Sequence, residues 1–115
     1  MKMTHEDQHE MTVMTLSGEF TGEASDRFRR AVLERIDKRI RDFVLDVGGL
    51  EAIDSQGLEA LLWLQDQCAE HLGQIRLAGS SETLTDVLKA TRLSPRFETK
   101  ADVGSAIQSL GIHHV

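Results

Sequence analysis

Hydrophobic and polar positions alternate along residues 11–17, where Val13 and Thr15 share one face and Met14 and Leu16 the other. That two-residue period predicts a strand, ended by Gly18. The polar residues before it read as a weak edge strand and a turn. From about 23 to 40 the period changes. Ala24, Phe28, Ala31, Val32, Ile36 and Ile40 recur at steps of three and four, one apolar stripe of a helix. Arg27, Arg30, Glu34, Arg35 and Asp37 fall mostly off that stripe, as on a solvated face. Residues 43–47, Phe-Val-Leu-Asp-Val, form a short apolar run of the kind buried on both sides of a sheet.

Gly48-Gly49 is expected to break that strand, and a second helix to run from Ser55 to Leu72 with Gly73 as its stop. Residues 75–78 read as another buried strand, and Gly79-Ser80-Ser81 as a turn with a helix cap. Leu84, Val87, Leu88 and Thr91 mark a third helix. Pro95 then turns the chain out, residues 97–99 suit a last short strand, and Asp102 suits the cap of a final helix carrying Val103, Ala106, Ile107 and Leu110. Strands alternating with helices at this spacing predict an α/β domain. The leading hairpin makes its sheet mixed, with helices packed against it.

Composition narrows the classes. The 115 residues suit one domain spanning 1–115, and 40% hydrophobic with 28% charged residues is a globular balance. Thirteen basic against nineteen acidic residues leave a charge of -6, which argues against direct nucleic-acid binding. No apolar run approaches the ~18 residues of a membrane span, so no membrane insertion is expected. Cys68 is the only cysteine, which excludes an internal disulfide and suits a reducing, cytoplasmic setting.

The candidate chemistry lies where the central strand runs into the second helix, along residues 46–57. Loops at the carboxyl ends of strands are where open α/β sheets meet ligands and partners. Asp54, Ser55 and Gly57 open the helix, at the convergence of free backbone N–H groups and the positive dipole end. A phosphate on Ser55 would be well placed there. Asp-Ser before an apolar helix is equally the pattern of a plain N-cap.

The second helix carries a further feature. Leu58, Leu61, Leu62, Cys68, Ala69 and Leu72 share one face, with Gln65 intruding on it. Trp63 falls roughly opposite, on a stripe with Gln56, Ala60 and Gln67 that begins beside Ser55. A lone tryptophan on a polar face marks either a partner-binding surface or a ring covered by a neighbouring loop or helix.

Residues 16–20 (Leu-Ser-Gly-Glu-Phe), 43–46 (Phe-Val-Leu-Asp) and 53–62 (Ile-Asp-Ser-Gln-Gly-Leu-Glu-Ala-Leu-Leu), followed by 75–79 and 88–93, together resemble the STAS domain of bacterial anti-sigma factor antagonists. The likeness spans nearly the whole chain, and Ile-Asp-Ser-x-Gly-Leu is its most specific part. Two positions depart from the family pattern. Asp46 is followed by Val47-Gly48-Gly49 where a serine or threonine often stands two residues on. Thr21 stands where an aspartate usually follows Gly-Glu-hydrophobe.

The resemblance implies a mixed sheet with packed helices and no cofactor. It implies phosphorylation of Ser55 by an anti-sigma factor that is itself a serine kinase, with a PP2C-type phosphatase to reverse it. The unphosphorylated chain would bind that kinase and release a sigma factor. Asp54 would orient the serine, Gly57 would allow close approach, and Gln56, Glu59, Ala60 and Trp63 would supply contact surface, with Ser80 and Ser81 at the adjacent loop. A phosphoserine adds a charge of about -1.5 to -2 next to Asp54 and near Glu51 and Glu59, opposing contact with an acidic partner. The alternative is a phosphorylation-independent STAS module, serving as a cytoplasmic transporter subunit or signalling scaffold. A nucleophilic Ser55 is disfavoured, because Gly-x-Ser-x-Gly has Ile53 at its first position and His71, His113 and His114 are poorly placed as bases. His5 and His9 lie in a polar segment and make no convincing metal site.

Overall fold

The computed structural model describes residues 1–79 and 81–111. In chain order it contains β1 (Lys2–Gln8), β2 (Met11–Phe20), α1 (Gly22–Asp37), β3 (Asp42–Ile53), α2 (Ser55–Glu70), β4 (Ile75–Ala78), α3 (Glu82–Ala90), a 3₁₀ turn (Ser94–Arg96), β5 (Thr99–Lys100) and α4 (Val103–Ser109). The strands lie in the order β1-β2-β3-β4-β5. β1 pairs antiparallel with β2, and the other neighbours are parallel. The expected mixed α/β architecture is therefore present, its hairpin closed by His9 in a left-handed conformation (φ 54°).

Alternation sorts the side chains into two layers. Met14 and Leu16 of β2, Phe43, Leu45 and Val47 of β3, and Ile75 and Leu77 of β4 join one core with Phe28 and Val32 of α1, Leu61 and Leu64 of α2, and Leu84 and Leu88 of α3. Val44 and Ala78 face the other way and pack with Ala106 and Leu110, the α4 side. Three helices thus cover one face of the sheet and the short α4 part of the other.

The structure corrects several boundaries. β3 continues through Gly48-Gly49 to Ile53, because two register shifts against β2 absorb the extra residues as bulges. β2 likewise passes Gly18 and ends at Phe20. β5 begins at Thr99, and Phe97 is buried just before it. Helices α1 and α2 both stop short of their expected ends, at Asp37 and Glu70, in the same six-residue closure. In α1, Arg39 N–H donates to Ile36 O and Ile40 N–H to Arg35 O. In α2, Leu72 N–H donates to Ala69 O and Gly73 N–H to Cys68 O. This Schellman pattern needs a left-handed residue, and it is Arg39 (φ 67°) and Leu72 (φ 59°) that supply it. Leu72 therefore leaves the apolar face and is 83% exposed. Gly73 is required for a different reason: a Cβ there would overlap the carbonyl oxygen of Arg41.

Arg35 is the largest departure from the helical wheel. Placed on the solvated side by periodicity, it is only 4% exposed. β1 folds over that side of α1, and the guanidinium donates to Asp7 Oδ2 at 3.0 Å and lies 2.8 Å from His5 Nδ1. The buried Thr12 hydroxyl donates to the other Asp7 oxygen at 2.7 Å. Burial pushes the Asp7 carboxyl up, but the Thr12 hydrogen bond and the charges of Arg35, His5 and Lys38 outweigh it and hold it below the ordinary 3.8. A depressed folded value means that this contact stabilises the fold above that pH and is lost as the pH falls below it. Cys68 is buried, and desolvation with the nearby Asp42 charge pushes its thiol up to about 12.

Candidate functional site

The carboxyl ends of β2 and β3 and the starts of α1 and α2 meet at one pole. Phe20 pairs with Ile53 at the strand ends, and Asp54 N–H donates to Phe20 O at 3.2 Å, so the two strand-to-helix corners are fastened side by side. Asp54 is the N-cap of α2, in extended conformation, and its Oδ1 accepts from Gly57 N–H at 2.9 Å. Its Oδ2 accepts from Gly22 N–H at 3.2 Å, in the first turn of α1. One carboxylate thus satisfies orphan donors of two parallel helices, where the dipoles favour negative charge. Thr21, the N-cap residue of α1, makes no side-chain cap, and Asp54 takes its place from the neighbouring corner.

Ser55 follows as the first residue of α2. It is exposed, and its hydroxyl makes no hydrogen bond among the described residues. The carboxylates of Glu19, Glu23, Glu51 and Glu59 are also exposed on the strand ends and helix starts of this pole. His71 caps the other end of the 16-residue α2, ~24 Å away at 1.5 Å per residue, and cannot serve Ser55 as a base. His113 and His114 lie outside the described residues.

The residues expected around Ser55 divide into surface and support. Gln56 and Glu59 are exposed, and the Gln56 side chain lies over Gly22. Ala60 is fully buried in the core, so it presents no surface to a partner, contrary to expectation. Its position on the stripe faces the core because α1 lies alongside α2, a neighbour that the helical wheel of α2 does not contain. Gly57 is also buried. A Cβ on it would overlap the carbonyl oxygen of Phe20, so glycine is needed for the packing of α2 on the end of β2 rather than for an approaching partner.

Trp63 is half-buried, packs against the main core, and carries the Arg29 guanidinium 5.4 Å from its ring centroid. A neighbouring helix thus covers one side of the ring. Gln65, the polar residue on the apolar face, donates its amide to the carbonyl oxygen of Arg96. Ser81 is buried, with its hydroxyl donating to Leu50 O at 3.0 Å and accepting from Leu84 N–H at 3.2 Å. It caps α3 and ties that helix to β3, and is not interface surface. Ser80 lies outside the described residues.

His5 and His9 are in β1 and the hairpin turn, not on a helix, and His5 is engaged by Arg35 and Asp7. Sequence reading missed Gly22 and Arg29. Each meets its partner across more than thirty residues of chain, and only the run Thr21-Gly22-Glu23, a plausible helix start, hinted at the first.

The profile of the STAS domain matches residues 2–106. The chain belongs to the STAS domain family. No curated protein sequence matches it. Among solved structures, this STAS domain is similar to the anti-sigma factor antagonist SpoIIAA in its unphosphorylated form, at a TM-score of 0.82 and 19% identity over 98% of this chain and 100% of that one. It is similar to the Bacillus cell fate determinant SpoIIAA in the phosphorylated form, at 0.76 and 21%, over 94% and 98% of the two chains. A sulfate transporter family protein from Wolinella succinogenes matches at 0.74 and 22%, over 88% and 84%. At these identities the likenesses establish the fold of the STAS domain. Within the described residues, no helix is long and apolar enough to cross a membrane.

Proposed function

We propose that this STAS domain is an anti-sigma factor antagonist switched by phosphorylation of Ser55. In this reading the unphosphorylated form binds an anti-sigma factor serine kinase and frees a sigma factor. Phosphate on Ser55 ends that binding, and a PP2C-type phosphatase restores it. The observation that carries the reading is an exposed serine with an unengaged hydroxyl at the first position of a helix whose start is already held by Asp54. A kinase can reach such a hydroxyl without breaking an internal contact. A phosphate there adds negative charge to a pole that is already acidic, and brings a hydrated group into a contact that must dry out. A loss of ~3 kcal/mol of binding weakens a complex more than a hundredfold. Gln56 and Glu59 are the exposed neighbours available to a partner, with the uncovered part of Trp63.

A second reading has its own support in the likeness to a sulfate transporter family protein. There the domain would dock as a transporter subunit or scaffold without phosphorylation, and Ser55 would only begin a helix.

Baits of wild type, Ser55→Ala and Ser55→Asp in host lysate separate the two. The switch predicts capture of a kinase-like anti-sigma factor by the first two baits and not by Ser55→Asp. Incubation of the captured kinase with ATP then places phosphate on Ser55 of the wild type and none on Ser55→Ala. Equal capture of a transporter by all three, with Ser55 unmodified, overturns the switch in favour of the second reading.

A further inference from the structure

At the pole opposite Ser55, the ends of α1 and α2 and the entry to β3 enclose a cleft of about 380 Å³ lined by Glu10, Ile36, Arg39, Ile40, Arg41 and His71. That volume is within the range of small-molecule sites. Ile40 is buried and Ile36 half-buried, whereas Glu10, Arg39 and His71 are exposed, which gives an apolar base under a charged rim. The rim charges are not equivalent. Arg41 donates to Glu10 at 2.9 Å, so these two neutralise each other. His71 has its Nδ1 2.9 Å from the Gln67 carbonyl oxygen. The Arg39 guanidinium makes no hydrogen bond or ion pair among the described residues.

Nor is Arg39 consumed in capping. The last carbonyls of both helices are met by backbone N–H groups, those of residues 38–40 in α1 and 71–73 in α2. What remains is a free, planar, permanently charged fork beside two isoleucines. Leu72, next in the chain after His71, is 83% exposed and held in the left-handed region at the same corner. The contact of Gly73 with the Arg41 carbonyl keeps this corner against the cleft.

We propose that this cleft binds a carboxylate carrying a short branched aliphatic body, with Arg39 taking the carboxylate and the half-buried Ile36, over the buried Ile40, meeting the body. A guanidinium fork matches a carboxylate in two parallel hydrogen bonds, and the apolar base rejects a bare hydrated anion. Two sources share this chemistry, a free branched acid and a leucine-like C-terminus of a peptide.

The test is an amide chemical-shift titration of the full chain with 4-methylpentanoate and with the tripeptide N-acetyl-Gly-Gly-Leu. Acetate and the C-terminal amide of the tripeptide serve as controls. The site predicts saturable shifts confined to residues 36–41 and 67–73 for at least one of the two probes, and none of comparable size for the controls. It also predicts at least roughly tenfold weaker binding in Arg39→Gln, whose spectrum elsewhere is unchanged because Arg39 is exposed. The tighter of the two probes assigns the source. Shifts that never saturate, that arise equally with acetate or the amide, or that survive Arg39→Gln unweakened overturn the proposal.

Discussion

The two ends of the α1–α2 pair are built on opposite terms. At the Ser55 pole the chains touch backbone to backbone, with Gly57 against the Phe20 carbonyl and Asp54 bridging both helix starts. At the other pole the helices end in left-handed residues with full side chains, Arg39 and Leu72, beside an open cleft. The first pole spends its polar and small residues on holding position and leaves one serine hydroxyl unengaged. The second closes its helices mainly with backbone N–H groups, with His71 Nδ1 beside the Gln67 carbonyl of α2, and leaves the Arg39 guanidinium without a hydrogen bond or ion pair among the described residues. Rigidity beneath an exposed hydroxyl would let a charge added there, as in the proposed phosphorylation, alter the surface without altering the fold.

The comparison breaks first at Gly57. Its Cβ would have to displace backbone, not the tip of a flexible side chain, so Gly57→Ala is expected to lose about 1–3 kcal/mol in urea unfolding, toward the upper end. A loss under ~0.5 kcal/mol, the range of ordinary surface substitutions, would show that the α2 start shifts easily and that this pole is not the rigid one. Asp54→Ala comes next, at about 1–2 kcal/mol for a lost cap. Asp54→Asn keeps a carbonyl oxygen for one donor and is expected to fall between wild type and alanine. If asparagine equals wild type, the bond to Gly22 contributes nothing and the two helices are not coupled through this residue.

Much of this was legible in advance. The apolar stripe of α1, the buried run of β3, the caps at Asp54 and Asp102 and a cap within Ser80-Ser81 all follow from local periodicity and side-chain chemistry, and the structure contains them, with Ser81 as the capping serine. What was not legible depends on neighbours distant in sequence. Arg35 looks solvated on its helix and is covered by β1, Ala60 looks like contact surface and is buried, and Asp54 looks like a cap for one helix and serves two. Gly48-Gly49 was misread because a bulge and a strand end use the same residue type, and only pairing with β2 distinguishes them. Ser55 itself stood out through family resemblance; its spacing alone reads equally well as the start of a capped helix.

The second pole yields the inverse of the first. Where Gly57→Ala destabilises, Leu72→Gly is expected to stabilise by about 0.5–1 kcal/mol. Glycine adopts the left-handed C′ conformation without the steric penalty, and an 83% exposed leucine contributes little burial to lose. Arg39→Gly has the same sign by the same argument. Thermal unfolding of the two variants checks it. A destabilised Leu72→Gly would mean that the leucine makes a stabilising contact in solution, and the contrast between the poles would lose one of its two supports.

The smallest effect is expected at Ser55, and its smallness is the point. The hydroxyl is exposed and makes no hydrogen bond among the described residues, and Asp54 already satisfies the donor at Gly57. Ser55→Ala is therefore expected to change stability by less than about 0.5 kcal/mol, as for surface positions without a specific contact. Unfolding of this variant beside Asp54→Ala separates the two roles that the Asp-Ser pair leaves merged. If Ser55→Ala costs as much as Asp54→Ala, the serine is part of the cap, and a phosphate there would disturb the helix start itself. If it costs nothing while Asp54→Ala loses its 1–2 kcal/mol, the fold does not depend on the hydroxyl. Any requirement for Ser55 in partner binding or its reversal then belongs to the surface, where a phosphate would act by charge and hydration without removing a contact on which the helix start depends.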